Sequence, residues 1–309
     1  MRGQVRLKAK GPVLLLVTAI LWGMAFVAQT TAANDVGPFT FNASRNFIGA
    51  LFLSGVIAFR RRSGQDKPAT DDGTGYSKRT LLVAGVLCGV ALCIASYLQQ
   101  AGITAYPPEA AASSRSGFVT ATYMVMVAVM LMFMGKRPHP LVLVAVVVAM
   151  AGMYLLCVPN GLGSVYVGDW LVLASAFGYA VHILVIDRYT QVDGVRLSRV
   201  QLLVAGAISL VCAIVFEHPE PAAVLAATVP ILYAGICSDG IAYTLQIVAQ
   251  KTTEATVASI IMSLESVFAA IGGWLILSES LTAVELSGCA LVFAAVILSQ
   301  VPDFLEARK

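Results

Sequence analysis

The sequence predicts an all-α integral membrane protein of ten transmembrane helices, built from two inverted five-helix repeats. Three observations lead to that class. Of the 309 residues, 58% are hydrophobic and only 12% are charged, about half the charge of an ordinary soluble domain. The cations fall in alternate connections between apolar stretches. The second half of the chain repeats polar landmarks of the first.

Ten apolar stretches are long enough to cross a bilayer: 11–31, 37–59, 80–103, 110–134, 139–158, 168–187, 200–216, 223–249, 254–277 and 281–301. The first follows Arg2, Arg6, Lys8 and Lys10, as a signal peptide would. Its spanning length and its counterpart later in the chain favour a span. Arg60, Arg61, Arg62, Lys67, Lys78 and Arg79 follow the second span, Lys136 and Arg137 the fourth, Arg188, Arg196 and Arg199 the sixth, and Lys251 the eighth. Arg308 and Lys309 close the chain, and the odd-numbered connections carry no cation. Because basic loops stay on the cytoplasmic side, both termini (1–10 and 302–309) and the polar loop 60–79 are expected in the cytoplasm, with the chain in the plasma (inner) membrane. Only Arg45 and Arg115 fall inside spans.

The segment beginning at Leu98, LQQAGITAYPPEAAASSRSGFV, resembles LQIVAQKTTEATVASIIM beginning at Leu245. Gln99 then matches Gln246, Thr120 matches Ser263 and Thr122 matches Glu265, while upstream Trp22-Gly23 matches Phe177-Gly178. The repeats are thus 11–158 and 159–301. Five spans being odd, the copies enter the membrane with opposite orientation, the pattern of secondary transporters that bind substrate near the midplane.

Intramembrane ionisable residues mark candidate sites. Glu265 lies mid-span, shares its face with Ala258, Met262, Ala269 and Gly272, and reads as a proton acceptor or a countercharge for a cationic substrate; a structural ion pair is the alternative. Arg115 lies seven residues before Thr122, the repeat partner of Glu265, and is expected either to pair with Glu265 or to bind the other end of a zwitterion. Asp239, between Gly235 and Gly240, is expected at a local helix break and as a second proton-coupling candidate. Asp239, Tyr243 and Gln246 make one polar stripe at helical spacing. Gln99, Trp22 and Tyr123 complete the expected substrate contacts. Arg45 is expected to snorkel toward the outer interface, and His182 to brace the cytoplasmic end near Asp187 and Arg188. One His makes no metal site, and the six cysteines (88, 93, 157, 212, 237 and 289) lack ligand or disulfide spacing and read as small buried hydrophobes.

The segments LWGMAFVAQ (21–29), VGPFTFNASR (36–45), SGFVTATYMVMV (116–127), GKRP (135–138), HILVIDRYT (182–190), AYTLQIVAQK (242–251), ASIIMSLESVFAAIGGWLILSE (258–279) and CALVFAAVILSQ (289–300) together resemble the drug/metabolite transporter superfamily, in its EamA-type ten-span permeases. The resemblance implies that spans 1–4 and 6–9 line a central cavity and that spans 5 and 10 lie outside it. It implies carriage of small metabolites, amino acids, nucleotide sugars or drugs, often with proton coupling or exchange. Two positions depart from the pattern: Asp239 stands where a small neutral residue is expected, and Ser266 where Pro is commoner.

The expected function is secondary active transport of a small amino-acid-like, zwitterionic or amphipathic metabolite, or a drug, by alternating access, with export coupled to proton antiport. The alternative is an uncoupled facilitator or obligate exchanger with a Glu265–Arg115 gate. No G-x-S-x-G, H-E-x-x-H or P-loop pattern occurs, so neither an enzyme nor an ATP-driven pump is expected. Nor is any cofactor, metal or nucleic-acid partner. The expected partners are the small-molecule substrate, protons and the lipid bilayer, with the chain a monomer or a homodimer.

Overall fold

In hydrocarbon a chain satisfies its backbone N–H and C=O groups only within helices or closed barrels, and the apolar runs of this sequence take the first course. A computed structural model describes residues 2–64, 76–107, 110–157, 166–278 and 282–306, and its regular elements there are all helical. They are α1 (Arg2–Ala32), α2 (Pro38–Arg62), α3 (Lys78–Thr104), α4 (Ala112–Ala121), α5 (Tyr123–Phe133), α6 (Pro140–Cys157), α7 (Val167–Arg188), α8 (Gly194–Phe216), α9 (Pro221–Ala226), α10 (Thr228–Tyr233), a π-helical segment (Ala234–Ala242), α11 (Tyr243–Ala249), α12 (Ala255–Met262), α13 (Glu265–Leu277) and α14 (Ala283–Glu306). The expected cytoplasmic cations Lys67, Arg308 and Lys309 lie outside the described residues.

Among the described residues, seven segments are long and apolar enough to cross a membrane: Lys10–Ala32, Lys78–Thr104, Ala112–Phe133, Val167–Arg188, Gly194–Phe216, Thr228–Ala249 and Ala255–Leu277. The chain is therefore a multi-pass membrane protein. Three other expected spans correspond to α2, α6 and α14. Helix α2 carries Arg45 and its buried neighbours Asn42 and Asn46, and the other two hold shorter apolar helices, Pro140–Gly152 and Leu286–Pro302. The bundle also wears its hydrophobic residues outward. Leu82, Val86, Val90 and Ile94, four residues apart on α3, are all exposed, a stripe that suits lipid and would be costly in water.

Neighbouring helices are tied at their ends. Glu217, just past α8, accepts hydrogen bonds at 2.7 Å from the backbone N–H groups of Phe39 and Thr40 in the first turn of α2. A carboxylate there answers both the unpaired donors and the helix dipole. At the other end, Arg60 meets Asp193 at 3.0 Å, and Asp193 also caps α8 through the Arg196 N–H. Helices α2 and α8 thus run antiparallel, pinned twice. Helix α3 packs on α7 and α8, α1 on α13, α11 and the π segment, and α6 on α14 away from the centre.

Two expected spans are interrupted. Between α4 and α5 the Thr122 hydroxyl donates to the Val119 carbonyl at 2.6 Å. Between α12 and α13, Ser263 and Ser266 bond the carbonyls of Ile260 and Ser263. At both places the backbone bonds tighten from i−4 to i−3: Val125 to Thr122, and Leu264, Ser266 and Val267 to Ile261, Ser263 and Leu264. Hydroxyls that bond back to the preceding turn bend helices in this way. The expected break near Asp239 takes a different form, a π segment of nine residues. The expectation for the cysteines holds in part: Cys88, Cys93 and Cys289 are buried thiols, whereas Cys212 and Cys237 are half-buried. The Cys157 side chain lies outside the described residues.

Candidate functional site

The helix interruptions meet around a narrow central cavity. Helix α1 brings Trp22, Phe26 and Gln29 to it, α2 brings Arg45, α3 brings Gln99, and the α4–α5 junction brings Thr120 and Tyr123. Tyr179 and His182 reach it from α7, Ser238 from the π segment, Tyr243 and Gln246 from α11, and Glu265 from the first turn of α13. Neither α6 nor α14 contributes.

One wall is a chain of hydrogen bonds joining three helices. The Tyr179 hydroxyl donates to Gln99 Oε1 at 3.1 Å, and Gln99 Nε2 donates to Thr120 Oγ1 at 3.0 Å. A second wall is aromatic. The rings of Trp22 and Tyr243 lie 4.9 Å apart, and His182 meets the Tyr243 ring edge-on at 5.5 Å. Helix α8 stays behind this wall and touches it through Gln201, whose Oε1 lies 3.0 Å from His182 Nε2.

Buried polar atoms nearly always find a partner, so those without one inside the chain are informative. Several of those atoms lie at the cavity, among them Trp22 Nε1, both amide atoms of Gln246 and Oε1 of Glu265. Glu265 is 3% exposed and interacts electrostatically with Tyr123. A ligand bearing donors, and a cationic donor above all, finds unused acceptors here beside aromatic faces suited to cations.

Arg45 departs from its expected place. Rather than snorkelling outward, it is 2% exposed and lines the cavity. Its Nε donates to Asn42 Oδ1 at 2.9 Å and lies 3.7 Å from Asp239 Oδ2, and its guanidinium sits 5.4 Å from the Phe41 ring centre. Asp239 is buried behind Arg45 rather than on the cavity wall. Close packing of α2 on the π segment decides this: a Cβ added to Gly49 would meet the Gly235 carbonyl at 2.8 Å.

Six of the eight residues expected to contact substrate line the cavity: Trp22, Gln99, Tyr123, Tyr243, Gln246 and Glu265. Arg115 does not. Its Nε and Nη2 donate to the two oxygens of Asp169 at 2.6 and 2.8 Å, and its guanidinium packs over Tyr166 at 4.8 Å. Asp169 also accepts from the Tyr106 hydroxyl and from the Tyr166 N–H, both at 2.8 Å. The Glu265–Arg115 pair and its gate are therefore corrected to Arg115–Asp169. Shared helical face was the right inference, but seven residues also displace Arg115 by about 10 Å along the axis, level with the first turn of α7. His182 is likewise corrected: it lines the cavity, while Asp187 pairs with Lys136 at 2.9 Å. Sequence reasoning passed over Tyr179, which the Trp22–Phe177 repeat match brought within two residues.

A helical membrane bundle enclosing a polar, aromatic cavity is the architecture of a solute carrier, and the comparisons agree. The EamA-like transporter family matches residues 9–158 and again 166–300. The chain belongs to that family, and it is a membrane transporter, not an enzyme. An "Uncharacterized transporter" of Archaeoglobus fulgidus is 27% identical over 290 residues, 92% of this chain and 83% of that protein. A solved crystal structure superposes with a TM-score of 0.73 over 94% of this chain and 96% of the other at 20% identity, a likeness of fold alone.

Proposed function

We propose that this protein is a secondary transporter that exports a small amine-bearing metabolite or drug, zwitterionic or amphipathic, from the cytoplasm by exchange for protons, with substrate and proton competing at Glu265. The observation that carries this reading is the Glu265 carboxylate. It is enclosed among membrane-spanning helices, opens on the cavity beside the Tyr123 hydroxyl, and has no ion-pair partner among the described residues. Burying such a group is costly unless it is neutralised by a proton or a cation, so each is bound when the other has left, and the two fluxes are coupled.

Alternating access follows from two inverted five-helix repeats, 11–158 and 159–301, giving ten crossings. The double family match supports this. So do the helix interruptions, which fall at Thr122 and at Ser263–Leu264, within two residues of each other in the alignment of the internal repeat. Contacts recur in pairs under the same exchange: α1 with α13 answers α7 with α4 and α5, and α2 with the π segment answers α8 with α3. Self-paired contacts, α2 with α8 and α6 with α14, lie where a pseudo-twofold axis requires them. Alternate basic connections support cytoplasmic termini and a plasma (inner) membrane location.

The test uses purified protein in proteoliposomes under an imposed pH gradient, with amino acids, polyamines, nucleosides and lipophilic cations offered in turn. A transported compound should move protons in the opposite direction, and Glu265→Gln should abolish uphill transport. If the Glu265→Gln protein still concentrates substrate against its gradient, the coupling role of Glu265 is wrong.

A further inference from the structure

Arg45 looks like a receptor for an anion, because a guanidinium is always protonated and this one lines the cavity. We propose that Asp239 acts as a charge filter on that site: it cancels Arg45 from behind, so that anionic substrates, and phosphate dianions most of all, are excluded. This rests on reading the central cavity as the substrate site. Three observations carry it. The Asp239 carboxylate stands 3.7 Å from Arg45 Nε, with both residues almost fully enclosed. Arg45 is the strongest favourable partner of the Asp239 carboxylate, ahead of the neighbouring Ser238 hydroxyl, so its charge is spent chiefly on Arg45. Its place is also set by the backbone, since its Cβ lies 3.0 Å from where a Gly49 side chain would begin.

The net charge follows. Arg45 and Asp239 sum to zero, and an ionised Glu265 makes the cavity negative. A cation, or a zwitterion whose carboxylate turns to Arg45 while its ammonium turns to Glu265, leaves the balance no worse. A bare anion must approach Arg45 with Asp239 still beside it. Each extra negative charge roughly 6 Å from Asp239 then weakens binding by roughly a hundredfold at an effective dielectric of about 20.

The probes are benzoate and phenyl phosphate, which share a ring but carry one and two charges at about pH 8, above the second phosphate ionisation near ~6. Binding to the purified full-length protein is followed by ligand-induced thermal shift. Asp239→Asn, which keeps the shape and removes the charge, should bind phenyl phosphate at least tenfold tighter than the natural protein does, with a smaller gain for benzoate. Adding Arg45→Gln to that variant should erase both gains. No gain, or equal gains for the two probes, overturns the filter. If Asp239→Asn does not fold, the natural protein decides: preference for benzoate supports the filter, and equal or stronger binding of phenyl phosphate overturns it. Trp22→Ala separates the two layers of the argument. If it changes neither probe's binding, the ligands lie elsewhere and the cavity reading itself fails.

Discussion

Arg45 and Asp239 face each other at 3.7 Å across the contact between α2 and the π segment, enclosed on every side but the cavity. The distance is that of an ion pair without a hydrogen bond. Arg45 spends its Nε proton on Asn42 instead, and the Asp239 carboxylate meets Arg45 through charge, with the Ser238 hydroxyl as its other partner. Such a pair tolerates burial because each charge answers the other, and it is vulnerable because no second ion pair among the described residues backs it up.

Removing one member should therefore cost more than removing both. Arg45→Gln leaves a carboxylate buried and unpaired, a loss on the order of 3–5 kcal/mol. Arg45→Gln with Asp239→Asn should restore a good part of that stability. Thermal unfolding in detergent of the two single variants and the double variant closes the cycle. Additive losses would show that the two charges do not feel each other.

Arg115 and Asp169 should behave differently. Their side chains are 23% and 14% exposed, so water partly reaches them, and Arg115→Gln should cost about 1.5–3 kcal/mol, less than Arg45→Gln. Asp169→Ala should cost more than Arg115→Ala, because Asp169 also holds the Tyr106 hydroxyl and the Tyr166 N–H that opens α7. Ligand binding in the cavity should stay within about threefold of the natural protein in Arg115→Gln. A loss of tenfold or more would return Arg115 to the substrate site.

The approach of α2 to the π segment can be tested at a glycine. Gly49→Ala places a methyl group 2.8 Å from the Gly235 carbonyl, and the helices must part at a cost on the order of 1–3 kcal/mol. Parting them moves Arg45 relative to Asp239, so cavity binding should weaken along with stability. Gly55 on the same helix has nothing within 4 Å of an added Cβ, and Gly55→Ala should be neutral or slightly stabilising. Equal effects at the two sites would mean that backbone propensity, not packing, is being measured.

Competition at Glu265 has a signed pH dependence. Protonation removes the charge that attracts an ammonium group, so the affinity for a cationic ligand should rise with pH, up to about tenfold per unit while Glu265 titrates, then level off. In Glu265→Gln the profile should be flat. Binding measured by thermal shift across pH shows the slope, and a slope that persists in Glu265→Gln would assign the proton to another group.

Much of this protein was legible one residue at a time. Mean composition and uninterrupted apolar runs announce membrane helices because hydrocarbon offers the backbone no other partner. Glu265 announced itself because a carboxylate is out of place in such a run. Tyr243 and Gln246 followed from helical spacing, Gln99 and Trp22 from the internal repeat, and Tyr123 from an aromatic ring able to stack on a substrate. Those signals are local, or depend on one helix at a time.

What only the tertiary structure decided is pairing. Helical periodicity reports the direction in which a side chain points, not its depth or the neighbour it meets. Arg115 and Glu265 share a direction, yet Arg115 stands about 10 Å farther along its helix and meets Asp169 in the first turn of α7. Arg45 lies near enough to a helix end to snorkel, but the glycine contact between α2 and the π segment holds it inside against Asp239. His182 and Tyr179 reach the cavity because α7 lies across it from α1 and α11. Charges distant in sequence find one another through helix packing, and packing is a property of surfaces assembled from the whole chain.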